Sequence, residues 1–545
     1  MVRGSSLSAT CLLAIGMQVN EGLAWRHNAL RIGPGVLSSF FSALLVILSF
    51  PKFDLGFLAW IALVPLFCAL KDKSLKWAFG LSFLTGISFL MGIFYWINVI
   101  GGFEWSHFIL LGLYFGCYFG LFGLALNFIS QKTELPSIFS APFLWVSLEY
   151  IRSHADFLGL PWALLGHSQY LNIPVIQIAS LTGVYGISFL IVMVNAAVSE
   201  VILSWVSRKR GTSIGRRPEL FKPGAVVICA LGLSLAYGFR VTANNSASDR
   251  IRVTVIQGNI PQEIRWEREY LKHNLDRHIA LTREAATSDN TSLIVWPETS
   301  VQGSLTQDLS LLSTMSALAK ETQTHLLVGS AVRPKFGSGE FRKRNWFNSA
   351  FLISSRGRIA GKYDKINLLP FAEYLPYKDI FSWPEGLASK AGSFIPGKDY
   401  TVFNVNGSKF GVMICWESIF PDLFRKFVKN GANFMVNITN EAWFGETAAP
   451  YQFLAMTVFR AVENRISIAR SANTGISGFI DPYGRILGRV KDGNKDIFVQ
   501  GYLTMEIPLS RQGTFYTMYG DIFAYLNLIM TGLMLAVSFL KTRTG

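Results

Sequence analysis

The sequence predicts a polytopic α-helical membrane domain of about eight spans, joined to an extracytoplasmic α/β domain. Three observations predict it. The 545 residues are 50% hydrophobic and only 16% charged, where a soluble domain carries about 25% charged residues, and the mean hydropathy is +0.34. The apolar residues before residue 240 and after 517 fall in long runs, several near the length of about 20 residues that a span needs. The stretch 241–516 instead has ordinary polarity and short, strand-like apolar runs.

Residues 1–34 read as an N-terminal tail. Its apolar run Cys11–Met17 is too short to cross a bilayer, and no small-residue cleavage site follows. Residues 35–240 are expected to hold seven spans, near 35–50, 54–70, 77–99, 106–129, 136–150, 174–205 and 223–240. The first two are parted by the tight turn Ser49-Phe50-Pro51-Lys52-Phe53-Asp54. The eighth span lies near 519–540, within a C-terminal segment 517–545 that ends in a cytoplasmic tail.

The formal charge is +15. In a soluble protein that excess would suggest nucleic acid. Here the basic residues sit in alternate loops: Lys71, Lys73 and Lys76, then Lys132, then Arg208 to Lys222, then Lys541 and Arg543. Cytoplasmic loops carry such an excess, so no nucleic acid is expected. Both termini are placed in the cytoplasm, and 241–516 on the opposite face.

That stretch alternates apolar runs with helix-compatible ones. The runs are Ile251–Gln257, Ser292–Trp296, His325–Gly329, Asn348–Ile353, Phe410–Cys415, Asn433–Thr439, Ile466–Ser471 and Gly475–Ile480; Glu267–Ala286 and Leu309–Thr322 suit helices. Buried strands alternating with helices imply a layered α/β domain. Of the five cysteines only Cys415 lies here, so this domain has no disulfide partner for it.

Three places could carry chemistry. Glu298 follows the run Leu293–Trp296 and Pro297, which lacks a ladder donor and ends the strand. Lys365 and Glu373 lie in the segment Tyr363–Pro376, framed by prolines and aromatics and without helical period. Cys415 ends an apolar run and precedes Trp416 and Glu417. Each alone has a bland reading: a solvated acid, a solvated lysine, a small buried hydrophobe. No metal is expected, because no HxxxH or CxxC spacing occurs. No cofactor is expected either, because Walker A and dinucleotide-binding patterns are absent.

Taken together, Glu298, Lys365 and Cys415 resemble the nitrilase superfamily in order and context. With seven spans before this domain and one after, the chain resembles the apolipoprotein N-acyltransferase family. Gln257-Gly258-Asn259-Ile260-Pro261-Gln262 with Trp266, Trp296-Pro297-Glu298-Thr299, Pro370-Phe371 with Glu373-Tyr374 and Pro376, and Asn437–Asn440 running into Ala442-Trp443-Phe444-Gly445 carry that resemblance. It departs from the family at Ala372, Trp416 and Glu441, where Gly, Tyr and Asp are common. The departures bear on pocket shape.

The resemblance implies an α-β-β-α sandwich for 241–516 and a bacterial inner-membrane, multi-pass enzyme with its catalytic domain on the periplasmic side. It implies transfer of a fatty acyl chain from a phospholipid to the N-terminal S-diacylglyceryl-cysteine of apolipoproteins, through a Cys thioester. Glu298 would be the general base, Lys365 the oxyanion stabiliser and Cys415 the nucleophile, its thiol pKa lowered by the nearby ammonium. Glu373 and Glu417 would be supporting acids, with Glu373 orienting Lys365. Trp266, Trp416 and Trp443 are candidates to line a substrate pocket. Ile380–Pro384, through Leu387 and Phe394, reads as an arm at the membrane interface. A monomer is expected.

Two rival classes are distinguishable. A membrane-tethered nitrilase-type amidase would share the three residues and release its product into water, without needing seven preceding spans. A transporter or receptor with an outer binding domain would place polar residues within several spans; here Glu149 and Glu200 sit only near span ends.

Overall fold

The computed structural model describes residues 33–101, 103–209, 221–243, 249–263, 269–288, 290–334, 345–389, 391–510 and 513–544. The expected tail thus lies almost wholly outside the described residues, with Cys11 and Trp266.

The apolar N-terminal half is helical. It opens with α1 (Gly33–Leu48). The expected second span is broken into a 3-10 turn, Gly56–Trp60, and the short α2 (Val64–Leu70), which carries Pro65 in its first turn. Then come α3 (Leu75–Ile93), α4 (Trp105–Lys132) and α5 (Ser137–Ser153), a 17-residue helix with Pro142 inside. The expected span 174–205 is also divided. Two short turns, α6 (Ile173–Ile176) and α7 (Ala179–Thr182), precede α8 (Val184–Lys209). Gly183, with φ +65°, breaks the helix there. Hydropathy is continuous across Gly183, so only the backbone reveals the break. After α9 (Phe221–Ala243) the chain leaves this layer.

Among the described residues, five helices are long and apolar enough to cross a membrane: α3, α4, α8, most of α9 and the C-terminal α16 (Ile522–Thr544). Helices α3 and α4 pack at backbone contact. A Cβ on Gly123 of α4 would lie 2.1 Å from Ser82 Oγ and 2.5 Å from Ala78 O. Small residues drive such close packing where lipid supplies no hydrophobic contrast. Leu526, Ile529, Leu533 and Phe539 of α16 stay exposed, as a lipid-facing surface requires.

Residues 250–508 form two six-stranded sheets. One has the order β12 (Gly501–Pro508), β1 (Arg250–Gln257), β2 (Leu293–Val295), β3 (His325–Val332), β4 (Phe347–Ile353), β5 (Ile359–Asp364). The other has the order β11 (Ile486–Arg489), β10 (Gly478–Ile480), β9 (Ser467–Ala472), β8 (Phe434–Thr439), β7 (Ser408–Ile414), β6 (Val402–Val405). Strands β1, β2 and β3 run parallel, as do β7, β8 and β9. Outer strands pair antiparallel.

Side-chain alternation stacks the layers. Val253, Val255, Leu293, Val295 and Leu327 join Phe410, Val412, Phe434 and Val436 of the second sheet in one core. Their neighbours Ile256, Ile294, Trp296, Leu326 and Val328 face the other way, onto α10 (Leu271–Ser288) and α11 (Leu309–Thr322). Fully burying each such aliphatic side chain is worth about 1.5–3 kcal/mol. The short α12 (Glu385–Ala388) precedes β6, and the short α15 (Phe515–Tyr519) follows β12. Helices α13 (Pro421–Lys429) and α14 (Ala449–Asn464) belong to the second sheet's side.

Helix α14 is buried along almost its whole length because membrane helices cover it. The Gln452 side-chain oxygen accepts from the indole N–H groups of Trp96 (3.1 Å) and Trp162 (2.8 Å), and its amide donates to Ile93 O (3.2 Å). Glu463 accepts from the Val184 N–H at 3.2 Å. The inter-sheet core is continuous with that of the helical layer, which seats one end of the sandwich against the membrane part.

Candidate active site

The three candidate residues follow the ends of three strands. Beyond β2, Trp296 N–H still donates to Leu327 O at 2.8 Å, Pro297 has no donor to give, and Thr299 turns with φ 45°. Gly329 of β3 allows this crossing, since a Cβ there would stand 2.5 Å from Thr299 N. Glu298 is only 7% exposed. Its Oε1 accepts from Asn348 Nδ2 and its Oε2 from the Asn440 backbone N–H, both at 2.8 Å.

Lys365 is the first residue past β5, pinned by its N–H donating to Asn348 O at 2.8 Å. Its Nζ lies 2.8 Å from Glu373 Oε1 and 3.8 Å from Glu298 Oε1. Leu369 N–H (2.7 Å) and Asn348 Nδ2 (3.2 Å) hold the Glu373 carboxylate in turn. Burial alone would lower the Lys365 ammonium pKa, but the Glu373 and Glu298 carboxylates outweigh it and the net direction is up. Lys365 therefore remains charged inside the protein.

Cys415 follows β7 and opens the 3-10 turn Cys415–Ile419 with φ 53°. A left-handed conformation at a non-glycine residue costs about 1–3 kcal/mol and recurs at functional sites. The thiol is pushed up to about 12, first by burial and then by the Glu298 carboxylate. Lys365 and the Thr439 hydroxyl pull it down without prevailing. The expected lowering of this thiol is thus corrected: burial, with the Glu298 carboxylate, outweighs the ammonium and favours the protonated sulfur.

Glu417 has no exposed surface. Its Oε1 accepts from Tyr363 OH (2.8 Å), Ile366 N–H (2.7 Å) and Asn367 N–H (3.0 Å), and its Oε2 from Ile414 N–H (2.8 Å). It ties the end of β7 to the Lys365 loop. Burial pushes its pKa up to about 7, and those four donors and Lys365 limit the rise.

A cavity of about 770 Å³ adjoins these residues. Ile366, Asn367, Leu368 and Trp416 line the side next to Lys365 and Cys415, and Asp156 and Phe157 line the side of the helical layer. Trp416 is half-buried, 6.2 Å from the Trp162 ring. Trp443 is 48% exposed and does not line this cavity. Of the expected arm, Ile380 and Phe381 are 75% and 60% exposed, whereas Trp383 turns back to donate to Pro376 O at 2.6 Å and packs on Phe157 and Phe371. Phe394 lines the cavity.

Sequence reasoning gave no role to Asn348, nor to Asn440, Thr439 and Tyr363 within the segments it singled out. A polar residue opening the apolar run Asn348–Ile353 was the one available signal for Asn348. The others contribute a backbone N–H, or a hydroxyl aimed by its strand, and a motif that contains them does not say what they touch.

Two facing sheets with Glu298, Lys365 and Cys415 past their strand ends define the carbon-nitrogen hydrolase class, and residues 252–515 match that family. Residues 42–197 match the apolipoprotein N-acyltransferase N-terminal domain. An apolipoprotein N-acyltransferase of Geobacter metallireducens is 35% identical over 92% of this chain and 95% of its own. Those of Chlorobaculum tepidum (28%, 92% and 96%) and Thermotoga maritima (29%, 94% and 96%) are also similar. So is the solved structure of an amidase from Nesterenkonia sp., at 18% identity and a TM-score of 0.36, over 52% of this chain and all of that one. The chain belongs to the apolipoprotein N-acyltransferase family, and it is a membrane-bound acyltransferase.

Proposed function

We propose that this enzyme moves a fatty acyl chain from a phospholipid to the α-amino group of an S-diacylglyceryl-cysteine at the N-terminus of an apolipoprotein, through a thioester on Cys415. The observation that carries the reading is the buried Glu298–Lys365–Glu373 network, electrostatically coupled to the Cys415 thiol beside a cavity large enough for a lipid chain. Family membership supports the acceptor.

In the first half-reaction Glu298 takes the thiol proton as sulfur attacks the ester carbonyl carbon. Negative charge develops on the carbonyl oxygen, where the Lys365 ammonium stabilises it. The carbon–oxygen bond to glycerol breaks, Glu298 returns the proton to that oxygen, and a lysophospholipid leaves. In the second half the acceptor amine attacks the thioester, Glu298 takes its proton, and the amide forms as sulfur departs and is reprotonated. Glu373 keeps Lys365 in place and charged. Both substrates are lipid-anchored, so the site opens toward the periplasmic leaflet, with both termini cytoplasmic and the chain acting as a monomer.

Purified enzyme given phospholipid alone is expected to release lysophospholipid and gain one acyl chain on Cys415. Intact-mass analysis should show that mass removed by neutral hydroxylamine, discharged onto a diacylated peptide's amine, and absent from Cys415→Ala. Peptide acylation without any acyl-enzyme would mean direct transfer and dismiss Cys415 as the nucleophile.

A further inference from the structure

A second group of ionisable side chains lies where three separated chain segments meet. His154 caps the C-terminal end of α5, Asp422 stands in the first turn of α13, and Asp521 immediately precedes α16. His154 Nε2 is 3.8 Å from Asp422 Oδ2 and 3.7 Å from Asp521 Oδ2, and the three atoms all lie within 4.8 Å of one another.

The imidazole is oriented from behind. His154 Nδ1 lies 3.0 Å from Tyr150 O. A carbonyl only accepts, so Nδ1 carries a proton and Nε2 is the atom aimed at the carboxylates. The gaps at Nε2 exceed hydrogen-bond length. Ligands about 2.1 Å from a tetrahedral ion sit about 3.4 Å apart. A shared ion would therefore draw each carboxylate a few tenths of an ångström toward Nε2, and the two carboxylate oxygens, within 4.8 Å of each other, together by up to about 1.4 Å. An imidazole whose other nitrogen donates to a carbonyl is the arrangement that metal-ligating histidines adopt. The carboxylates are likewise held: Asp521 Oδ1 accepts from Tyr516 OH at 2.8 Å, and Asp422 Oδ1 from Arg425 Nη2 at 3.1 Å. In each case the second oxygen faces His154.

Asp521 is 3% exposed. His154 and Asp422, by contrast, line a cavity of about 140 Å³ together with Ser153, Pro161 and Lys426. An ion here would have three protein ligands and one position open to that cavity, which shares Asn367 and Phe420 with the larger one beside Cys415.

We propose that His154 Nε2, Asp422 Oδ2 and Asp521 Oδ2 bind one divalent transition-metal ion that staples α5 and α16 to the α13 side of the catalytic domain. One nitrogen and two carboxylate oxygens suit zinc over the hard cations. The ion takes no part in the acyl transfer proposed for Cys415, and the site stands whatever the fate of that mechanism.

The test uses full-length protein in detergent, in a Cys415→Ala background so that the active-site thiol cannot bind the probe; the site variants control for zinc on the remaining cysteines. The protein is stripped with chelator, exposed to micromolar zinc and desalted. About one zinc per chain should remain, with a Tm rise of at least about 2 °C, and manganese should bind more weakly. Asp521→Asn and His154→Gln should lose both the zinc and the Tm rise. Should either fail to fold, the more exposed Asp422→Asn replaces it. No retained zinc, or the same zinc and Tm rise in the variants, would overturn the proposal and leave a protonated His154 paired with two aspartates.

Discussion

Asn348 shows how much a single amide can organise. One NH2 group donates to Glu298 and to Glu373, and the Asn348 carbonyl receives the Lys365 N–H. Lys365 is thereby fixed at both backbone and ammonium, within a space that leaves 2% of it exposed. Arginine keeps the charge but brings a wider, planar fork. Lys365→Arg is expected to fold and insert yet lose turnover almost completely; retained turnover would show that bare positive charge suffices. The thiol offers a second test at this scale. Its pKa is raised to about 12, so the thiolate fraction climbs roughly tenfold per pH unit throughout the range below that value. Iodoacetamide labelling of Cys415, followed by peptide mass spectrometry from pH 6 to 10, should rise without a plateau. A plateau near pH 7 would mean a thiolate at rest. Glu298, Lys365 and Cys415 were legible in the sequence as candidates, through their order and neighbours. The role of Asn348 was not, because an amide that only holds a carboxylate leaves no spacing rule behind; nor was that of Asn440, which meets Glu298 through its backbone N–H.

Among the elements, every strand that the sequence failed to signal is a sheet edge: β5, β6, β11 and β12. Interior strands are buried on both faces and read as continuous apolar runs. Edge strands are half-exposed, as in the Ile359–Asp364 segment, and their polar residues erase that signal. The broken helices failed for the opposite reason, since apolar composition persists through Pro65 and Gly183 while the backbone does not. Helix α14 couples the two layers through Gln452. Gln452→Leu would leave the buried Trp96 and Trp162 indole N–H groups without their acceptor, at about 1–3 kcal/mol for each orphaned donor. Thermal unfolding in detergent should fall by several degrees. An unchanged Tm would show that the interface does not depend on the Gln452 hydrogen bonds and is held by its other contacts, including the Trp96–Trp162 and Trp162–Phe453 ring contacts.

For the molecule as a whole, the proposed orientation is argued from charge. It puts the basic loops in the cytoplasm and both proposed substrates at the opposite face. Reporter fusions after Lys222 and after Thr544 should read cytoplasmic, and a fusion near Asn290 periplasmic. A cytoplasmic signal at Asn290 would put the Cys415 site on the wrong side of the membrane for its substrates. The continuous core beneath α14 has a mechanical consequence as well: the sandwich is seated on the helical layer by buried hydrogen bonds, so its cavity stays at a set distance from the bilayer.

The amino-acid sequence by itself determined the two-part architecture and the interior strands, and it singled out the three candidate residues. All of these rest on local signals: hydropathy over about 20 residues, apolar runs, and short motifs at strand ends. Only the tertiary structure decided where helices break, which amides hold Glu298 and Glu373, and which way the Cys415 thiol shifts. It also decided that His154, Asp422 and Asp521, separated by 268 and 99 residues, meet at one point. The reason is physical. A thiol's proton affinity is the balance of desolvation against charges brought in by other strands, and a shared ligand set is a matter of distance in space, which no spacing along the chain encodes.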